Sequence, residues 1–164
     1  MDITFKGAPV HTIGALPIIG ATAPDFTLVK TDFSILTLKE LAGKNIVLNI
    51  FLSIDTAVCA HSVTKFNSAL DKLENTLVLC VSMDLPFALE RFCAAENLKH
   101  VIPVSAFRNP EFGRDYGVIL TDGTLKGLLS RAIVVIDPNQ KIKYIEQVSE
   151  LTNKPNYDAV LKLF

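Results

Sequence analysis

The chain has 164 residues, 49% of them apolar and 20% charged, which is typical of a globular protein and excludes an intrinsically disordered one. Sixteen basic and seventeen acidic side chains leave a net charge of −1, so we expect neither nucleic acid nor a membrane surface as a partner. No apolar run approaches the roughly 20 residues of a membrane span. We expect one domain, over residues 1–164, with a core of its own.

The first half of the chain predicts a hairpin, a strand and a long helix. Residues 1–22 alternate short apolar stretches with glycine and proline, which is typical of an N-terminal β-hairpin. A helical turn is predicted at residues 38–43, followed by a buried strand at 46–52 and a helix at 56–73. The apolar residues at helical spacing in that helix are Val63, Phe66, Leu70 and Leu73.

The second half adds a buried strand at residues 76–82 and a helix that runs to about Ala95. Asp84 is the predicted N-cap of that helix, with Pro86 in its first turn. The remaining predicted elements are a strand, a helical turn, two hairpin strands and a closing helix, at residues 101–106, 110–116, 132–137, 141–148 and 157–163.

These elements predict an α/β protein of the thioredoxin-like fold. The runs 46–52 and 77–81 are apolar on both faces, as in a parallel pair covered by crossover helices. The last two strands form an antiparallel hairpin around Pro138 and Asn139. A βαβ unit followed by ββα gives a central mixed sheet flanked by helices, with the N-terminal hairpin as an extension.

Cysteine usage and the N-terminus point to a reducing compartment. The sequence begins without the basic and apolar regions of a signal peptide, so we expect a cytoplasmic protein. Cys59, Cys80 and Cys93 are too few, and odd in number, for a secreted disulfide scaffold. In the cytoplasm a disulfide is more often transient and catalytic than structural. The sequence has no Cys-x-x-Cys, no metal-ligand spacing and no nucleotide-binding motif, so we expect neither a metal nor a cofactor.

A Thr-x-x-Cys, formed by Thr56 and Cys59, stands where the first buried strand meets the long helix. The N-terminus of a helix has unpaired N–H groups and a partial positive charge, which favour a thiolate over a thiol. Since the thiolate is the nucleophile, the position predicts thiol chemistry at Cys59. From the residues alone, a cysteine packed at a helix start is an equally good interpretation. The Thr56 hydroxyl is predicted to cap the helix by accepting the N–H of residue 59.

The segment Ser-Ile-Asp-Thr-Ala-Val-Cys-Ala, at residues 53–60, resembles the peroxidatic-cysteine segment of the thiol peroxidases, which are atypical two-cysteine peroxiredoxins. Four further segments match that family in order, at residues 23–26, 82–88, 91–96 and 127–132. The resemblance covers essentially the whole chain. It implies reduction of organic hydroperoxides and hydrogen peroxide without a cofactor, thioredoxin as the reductant, and a homodimer.

The resemblance also implies roles for individual residues. Cys59 is the peroxidatic cysteine, which becomes a sulfenic acid, and Cys93 is the resolving cysteine, which closes an intramolecular Cys59–Cys93 disulfide. Thr56 hydrogen-bonds the thiolate and the peroxide, and Arg131 holds the thiolate and polarises the peroxide oxygens. A disulfide needs Cα atoms within about 7 Å, so the first turn of the Cys59 helix and the helix around Cys93 are expected to open on oxidation.

Structural interpretations stay open beside these roles. Cys93 is alternatively a small apolar filler, and Arg131 alternatively a member of a structural ion pair. Cys80 lies within an apolar strand and is expected to be inert. Leu52 occupies a pocket position where the resembled family has a proline, so the chain keeps an apolar cover there but lacks the rigidity of the ring.

Two other functions fit the same sequence. A peroxide-sensing redox relay would use the same cysteine pair but pass the oxidation to a partner protein. A non-catalytic thioredoxin-like binding module would explain Leu52 as a mark of lost activity.

Overall fold

The structure is a computed structural model that describes residues 2–69 and 73–164. The strands are β1 (Asp2–Phe5), β2 (Ala8–His11), β3 (Thr27–Lys30), β4 (Ile35–Thr37), β5 (Asn45–Ile50), β6 (Thr76–Ser82), β7 (Val101–Ser105), β8 (Ala132–Ile136) and β9 (Ile142–Gln147). The helices are α1 (Ala57–Ala69), α2 (Pro86–Ala95), α3 (Glu111–Asp115) and α4 (Tyr157–Leu161), with a 3₁₀ turn at Lys39–Leu41.

A mixed seven-stranded sheet in the order β4-β3-β7-β6-β5-β8-β9 forms the centre of the described ranges. β5, β6 and β7 are parallel neighbours joined through α1 and α2, whereas β8 runs antiparallel to β5 and pairs with β9 as a hairpin. β5 and β8 are buried almost throughout, which explains why their sequences are predominantly apolar. The predicted thioredoxin-like α/β fold is confirmed.

Two hairpins lie outside this parallel core. β1 and β2 pair around Lys6 and Gly7, both at positive φ, so the N-terminal hairpin is confirmed, although it ends at His11 and not near residue 22. The β3–β4 hairpin was not predicted. Its strands have four and three residues, too short to show a clear alternation, and its turn places Phe33 at a φ of 66°.

Successive residues of β5 pack into two apolar clusters on opposite faces of the sheet, as strand alternation requires. Ile46, Leu48 and Ile50 belong to a cluster with Phe112 and Tyr116. The second cluster contains Val47 and Phe51 together with Cys59, Phe66 and Tyr157. The predicted thiol site therefore lies on the face covered by α1.

Two details of the predicted helices are wrong. α2 begins at Pro86 with Leu85 at the N-cap and no side-chain cap, so Asp84 does not cap it. Leu73 is not helical, although it packs against the cluster that contains Cys59, and Leu70 lies outside the described residues. Within residues 2–69 and 73–164, no helix combines the length and the apolar character needed to cross a bilayer.

Candidate active site

Cys59 lies in the first turn of α1, directly after the loop that leaves the carboxyl end of β5. Its side chain is fully buried, with 0% of its surface exposed. Leu52 and Ile54, from that loop, are 5% and 2% exposed and belong to the same apolar cluster. Leu52 therefore packs in the apolar cluster that contains Cys59.

Arg131, one residue before β8, is buried beside Cys59 at 3% exposure. Its Nη1 donates to Cys59 Sγ at 3.3 Å, and its Nε donates to the Leu151 carbonyl at 2.9 Å. Among the described residues, neither partner is a carboxylate, so the alternative of a structural ion pair finds no support. The guanidinium is held at two points, and its charge is available to an anionic sulfur or oxygen.

Thr56 shapes the turn that leads into α1. Its hydroxyl donates to the Ser53 carbonyl at 3.1 Å, and its own carbonyl accepts the Ala60 N–H at 3.0 Å. The predicted cap was therefore wrong in its partner: within the described chain, the hydroxyl bonds back to residue 53 and does not receive the N–H of residue 59. The donated proton leaves the lone pairs of Oγ1 on the hydroxyl as acceptors.

Asp84 anchors the loop before α1, a role that the sequence interpretation missed. One carboxylate oxygen accepts the Ser53 hydroxyl at 2.8 Å, and the other accepts the Ile54 N–H at 2.7 Å and the Ser82 hydroxyl at 2.8 Å. The carboxylate ties the β5–α1 loop to the end of β6. An aspartate between a strand and a helix was the only signal, and it also fits an N-cap.

Tyr157 is the second missed residue. It opens α4 and is 8% exposed, with its ring edge-on to Phe66 at 5.5 Å and tilted against His61 at 6.2 Å. Both of these partners are in α1. The sequence marked Tyr157 only as the start of a closing helix.

The other two cysteines differ in their surroundings. Cys80 is buried in β6, and burial raises the pKa of its thiol to about 12, although Asn49 Nδ2 donates to its sulfur at 3.7 Å. Cys93 lies in α2 and is half-buried, and burial raises the pKa of its thiol to about 11. All three cysteines are free, so the structure shows the reduced state.

An exposed ion pair links the two segments that carry Cys59 and Cys93. Arg91 Nη2, on α2, lies 2.9 Å from a carboxylate oxygen of Asp55 in the β5–α1 loop. Both side chains are about two-thirds exposed, at 67% and 64%. Within the described residues, no group of three His, Cys, Asp or Glu side chains is placed to hold a metal ion.

Comparisons with known proteins identify the family to which the chain belongs. The redoxin family model matches residues 18–161. A thiol peroxidase of Corynebacterium glutamicum is 50% identical over 157 residues, covering 96% of this chain and 94% of that protein. A thiol peroxidase of Mycobacterium bovis is 48% identical over 160 residues, covering 98% and 96%. The crystal structure of a peroxiredoxin-like protein from Aquifex aeolicus superposes with a TM-score of 0.94 at 36% identity, covering 99% and 94%.

The chain therefore belongs to the redoxin family. Within that family it is a peroxiredoxin of the thiol peroxidase kind, an enzyme with thiol-dependent peroxidase activity.

Proposed function

We propose that this protein reduces organic hydroperoxides and hydrogen peroxide, with Cys59 as the nucleophile and Cys93 as the resolving cysteine. The observation that carries the proposal is the contact of 3.3 Å between the buried Arg131 guanidinium and Cys59 Sγ. A fixed cation beside a sulfur stabilises the thiolate and the negative charge that develops on the peroxide oxygens.

In the first step the Cys59 thiolate attacks the terminal oxygen of the hydroperoxide. The new S–O bond forms as the O–O bond breaks, and the leaving oxygen takes a proton and departs as an alcohol or water. Sulfur is oxidised by two electrons to a sulfenic acid, and the peroxide is reduced. Arg131 stabilises the charge during this step, and Thr56 Oγ1 accepts the hydrogen of the hydroperoxide.

In the second step the Cys93 thiolate attacks the sulfenic sulfur, the S–S bond forms as the S–O bond breaks, and the departing hydroxide takes a proton and leaves as water. Burial raises the pKa of Cys93 to about 11, so in folded α2 it is almost entirely a thiol at neutral pH. Opening of α2 exposes the thiol, which then ionises more readily and comes within reach of Cys59. The exposed Asp55–Arg91 pair is worth at most about 1 kcal/mol, so it opposes this opening only weakly.

The resulting disulfide needs an external dithiol, and we propose thioredoxin for that role. The cytoplasm as the location and a homodimer as the assembly belong to the same proposal. The reductant and the assembly rest on the resemblance to the thiol peroxidases, and the location rests on the cysteine usage.

The test is peroxide consumption by the reduced protein, coupled to a thioredoxin system. Cys59→Ser is expected to abolish consumption, and Cys93→Ser to leave a single stoichiometric turnover. Cys80→Ala is the matched control and is expected to turn over like the wild type, because Cys80 is buried in β6.

Continued cycling of Cys93→Ser would contradict the resolving role. An inert wild type would contradict the peroxidase proposal and favour the binding module. Slow consumption with a stable mixed disulfide to another protein would favour the redox relay.

A further inference from the structure

Tyr157 carries an unexplained polar atom in the protein interior. The residue is 8% exposed, yet among the described residues its Oη is the one buried side-chain oxygen or nitrogen without a hydrogen-bond partner. Buried hydroxyl groups are nearly always paired, since an unpaired one loses its hydration without compensation. A phenylalanine would fill the same space without that penalty.

Tyr157 shares its apolar cluster with the reactive cysteine. Cys59 and Arg131 are among the groups that interact electrostatically with its hydroxyl, and the ring packs on Phe66 and His61 of the helix that carries Cys59. The nearby Ser62 hydroxyl donates to Asn49 Oδ1 at 2.8 Å, and no hydrogen bond joins it to Tyr157 Oη. The unpaired donor therefore lies in the neighbourhood of the sulfur and the guanidinium.

The backbone around Tyr157 is tied to the site as well. The Leu151 carbonyl holds Arg131 Nε at 2.9 Å, so the segment between β9 and α4 positions both the guanidinium and the tyrosine. Burial raises the pKa of Tyr157, although the Ser62 hydroxyl and the Arg131 charge act in the opposite direction. The phenol therefore keeps its proton at neutral pH and remains a donor.

We propose that the Tyr157 hydroxyl donates a hydrogen bond to the peroxide that reacts with Cys59, as a catalytic group beside Arg131. This inference rests on the proposed peroxidase function. Negative charge moves from the sulfur to the peroxide oxygens as the O–O bond breaks, so a donor aimed at those oxygens lowers the barrier. Because the donor lacks a partner before the peroxide arrives, no bond within the protein has to break first.

The test compares Tyr157→Phe with Tyr116→Phe as the matched control. Tyr116 is fully buried in the cluster on the opposite face of the sheet, where its hydroxyl donates to the Pro24 carbonyl at 2.8 Å. Two rates are measured by stopped flow on each reduced protein: oxidation of Cys59 by hydrogen peroxide, and alkylation of Cys59 by iodoacetamide. The thermal midpoint of each variant is recorded as well.

For Tyr157→Phe we expect peroxide oxidation to slow by about tenfold to a hundredfold. Alkylation should stay within about twofold of the wild type, because iodoacetamide does not use this donor. The midpoint should be unchanged or higher, since the substitution removes an unpaired buried hydroxyl. Tyr116→Phe should have a lower midpoint and unchanged rates.

Peroxide oxidation of Tyr157→Phe at the wild-type rate would overturn the inference. A parallel fall of both rates, a lower midpoint or failure to fold would also overturn it, because each means that the hydroxyl has a structural role. An inert wild type would instead refute the peroxidase function itself, and the Tyr116→Phe control would then be inert too.

Discussion

The Asp84 carboxylate anchors the loop that precedes Cys59 through hydrogen bonds to Ser53 and Ile54. Substitution by asparagine and by alanine distinguishes the effect of its charge from the effect of its hydrogen bonds. In Asp84→Asn, the amide oxygen can take the position that receives the Ile54 N–H and the Ser82 hydroxyl. The amide nitrogen then faces Ser53, whose hydroxyl can rotate from donor to acceptor. Asp84→Ala leaves none of these bonds.

The expected losses in the free energy of unfolding follow from these contacts. Asp84→Asn keeps the bonds but loses the charge that strengthens them, which costs about 1 kcal/mol. In Asp84→Ala the Ile54 N–H loses its acceptor in a residue that is 2% exposed. That orphaned donor and the two lost hydroxyl bonds together cost about 3 kcal/mol. Asp115→Ala, at an exposed position of α3, is the control and should change the value by less than about 0.5 kcal/mol.

Urea denaturation gives these energies, and stopped-flow oxidation by hydrogen peroxide reports on the loop. Because Ser53 and Ile54 lead directly into the turn before Cys59, we expect Asp84→Ala to slow peroxide oxidation by about tenfold or more. Asp84→Asn should retain most of the rate. If Asp84→Ala matched the control in both stability and rate, the anchoring role would be refuted.

Three further predictions concern Leu52, Glu150 and Arg91. Among the described residues the Leu52 N–H donates no hydrogen bond, so Leu52→Pro removes none. Because proline fixes the backbone φ at this position, stopped flow should show faster peroxide oxidation. An equal or slower rate would show that leucine suffices. Hydrogen bonds, foremost from the Gly7 and Thr152 N–H groups, lower the pKa of Glu150 to about 2. The stabilisation by the ionised carboxylate is complete above pH 4.5 and disappears as the pH falls toward 2. The free energy of unfolding of Glu150→Gln should therefore change less with pH in that window than that of the wild type, and an equal slope would contradict this. Arg91→Ala should change the free energy of unfolding by less than about 1 kcal/mol but accelerate disulfide formation from the sulfenic acid. High salt should accelerate this step in the wild type and leave the Arg91→Ala rate unchanged, because only the wild type has the ion pair to screen. Equal rates in the two proteins would exclude the pair as a restraint.

The sequence predicted those parts of the fold whose signals are local. β5 and β6 were recognisable because both are apolar on both faces, and the β8–β9 hairpin because Pro138 and Asn139 mark its turn. The β3–β4 hairpin has strands of only four and three residues, with Ile35 at 52% exposure, so its pattern did not stand out.

Residues of the candidate site that belong to a sequence motif were predicted. Residues that only the tertiary fold brings to the site were missed. The position at a helix start and the family resemblance indicated Cys59, and the resemblance indicated Arg131, whose Nη1 lies 3.3 Å from Cys59 Sγ in the structure. Local capping rules assigned Asp84 to the helix that follows it, but its partners Ser53 and Ile54 come from an earlier loop. Nothing in the local sequence of Tyr157 indicates that it faces α1, because that contact depends on how the whole sheet is covered.

The Leu151 carbonyl that holds Arg131 also links the site to the order in which the chain is made. The Leu151 N–H donates to the Thr4 carbonyl at 2.8 Å, so this residue is held by the N-terminal hairpin through its N–H and holds the guanidinium through its carbonyl. When synthesis has passed only Cys59, neither Arg131 nor the Leu151 carbonyl that holds it is yet part of the nascent chain. Placement of the guanidinium beside the thiol is therefore coupled to a contact between residues that lie far apart in the chain.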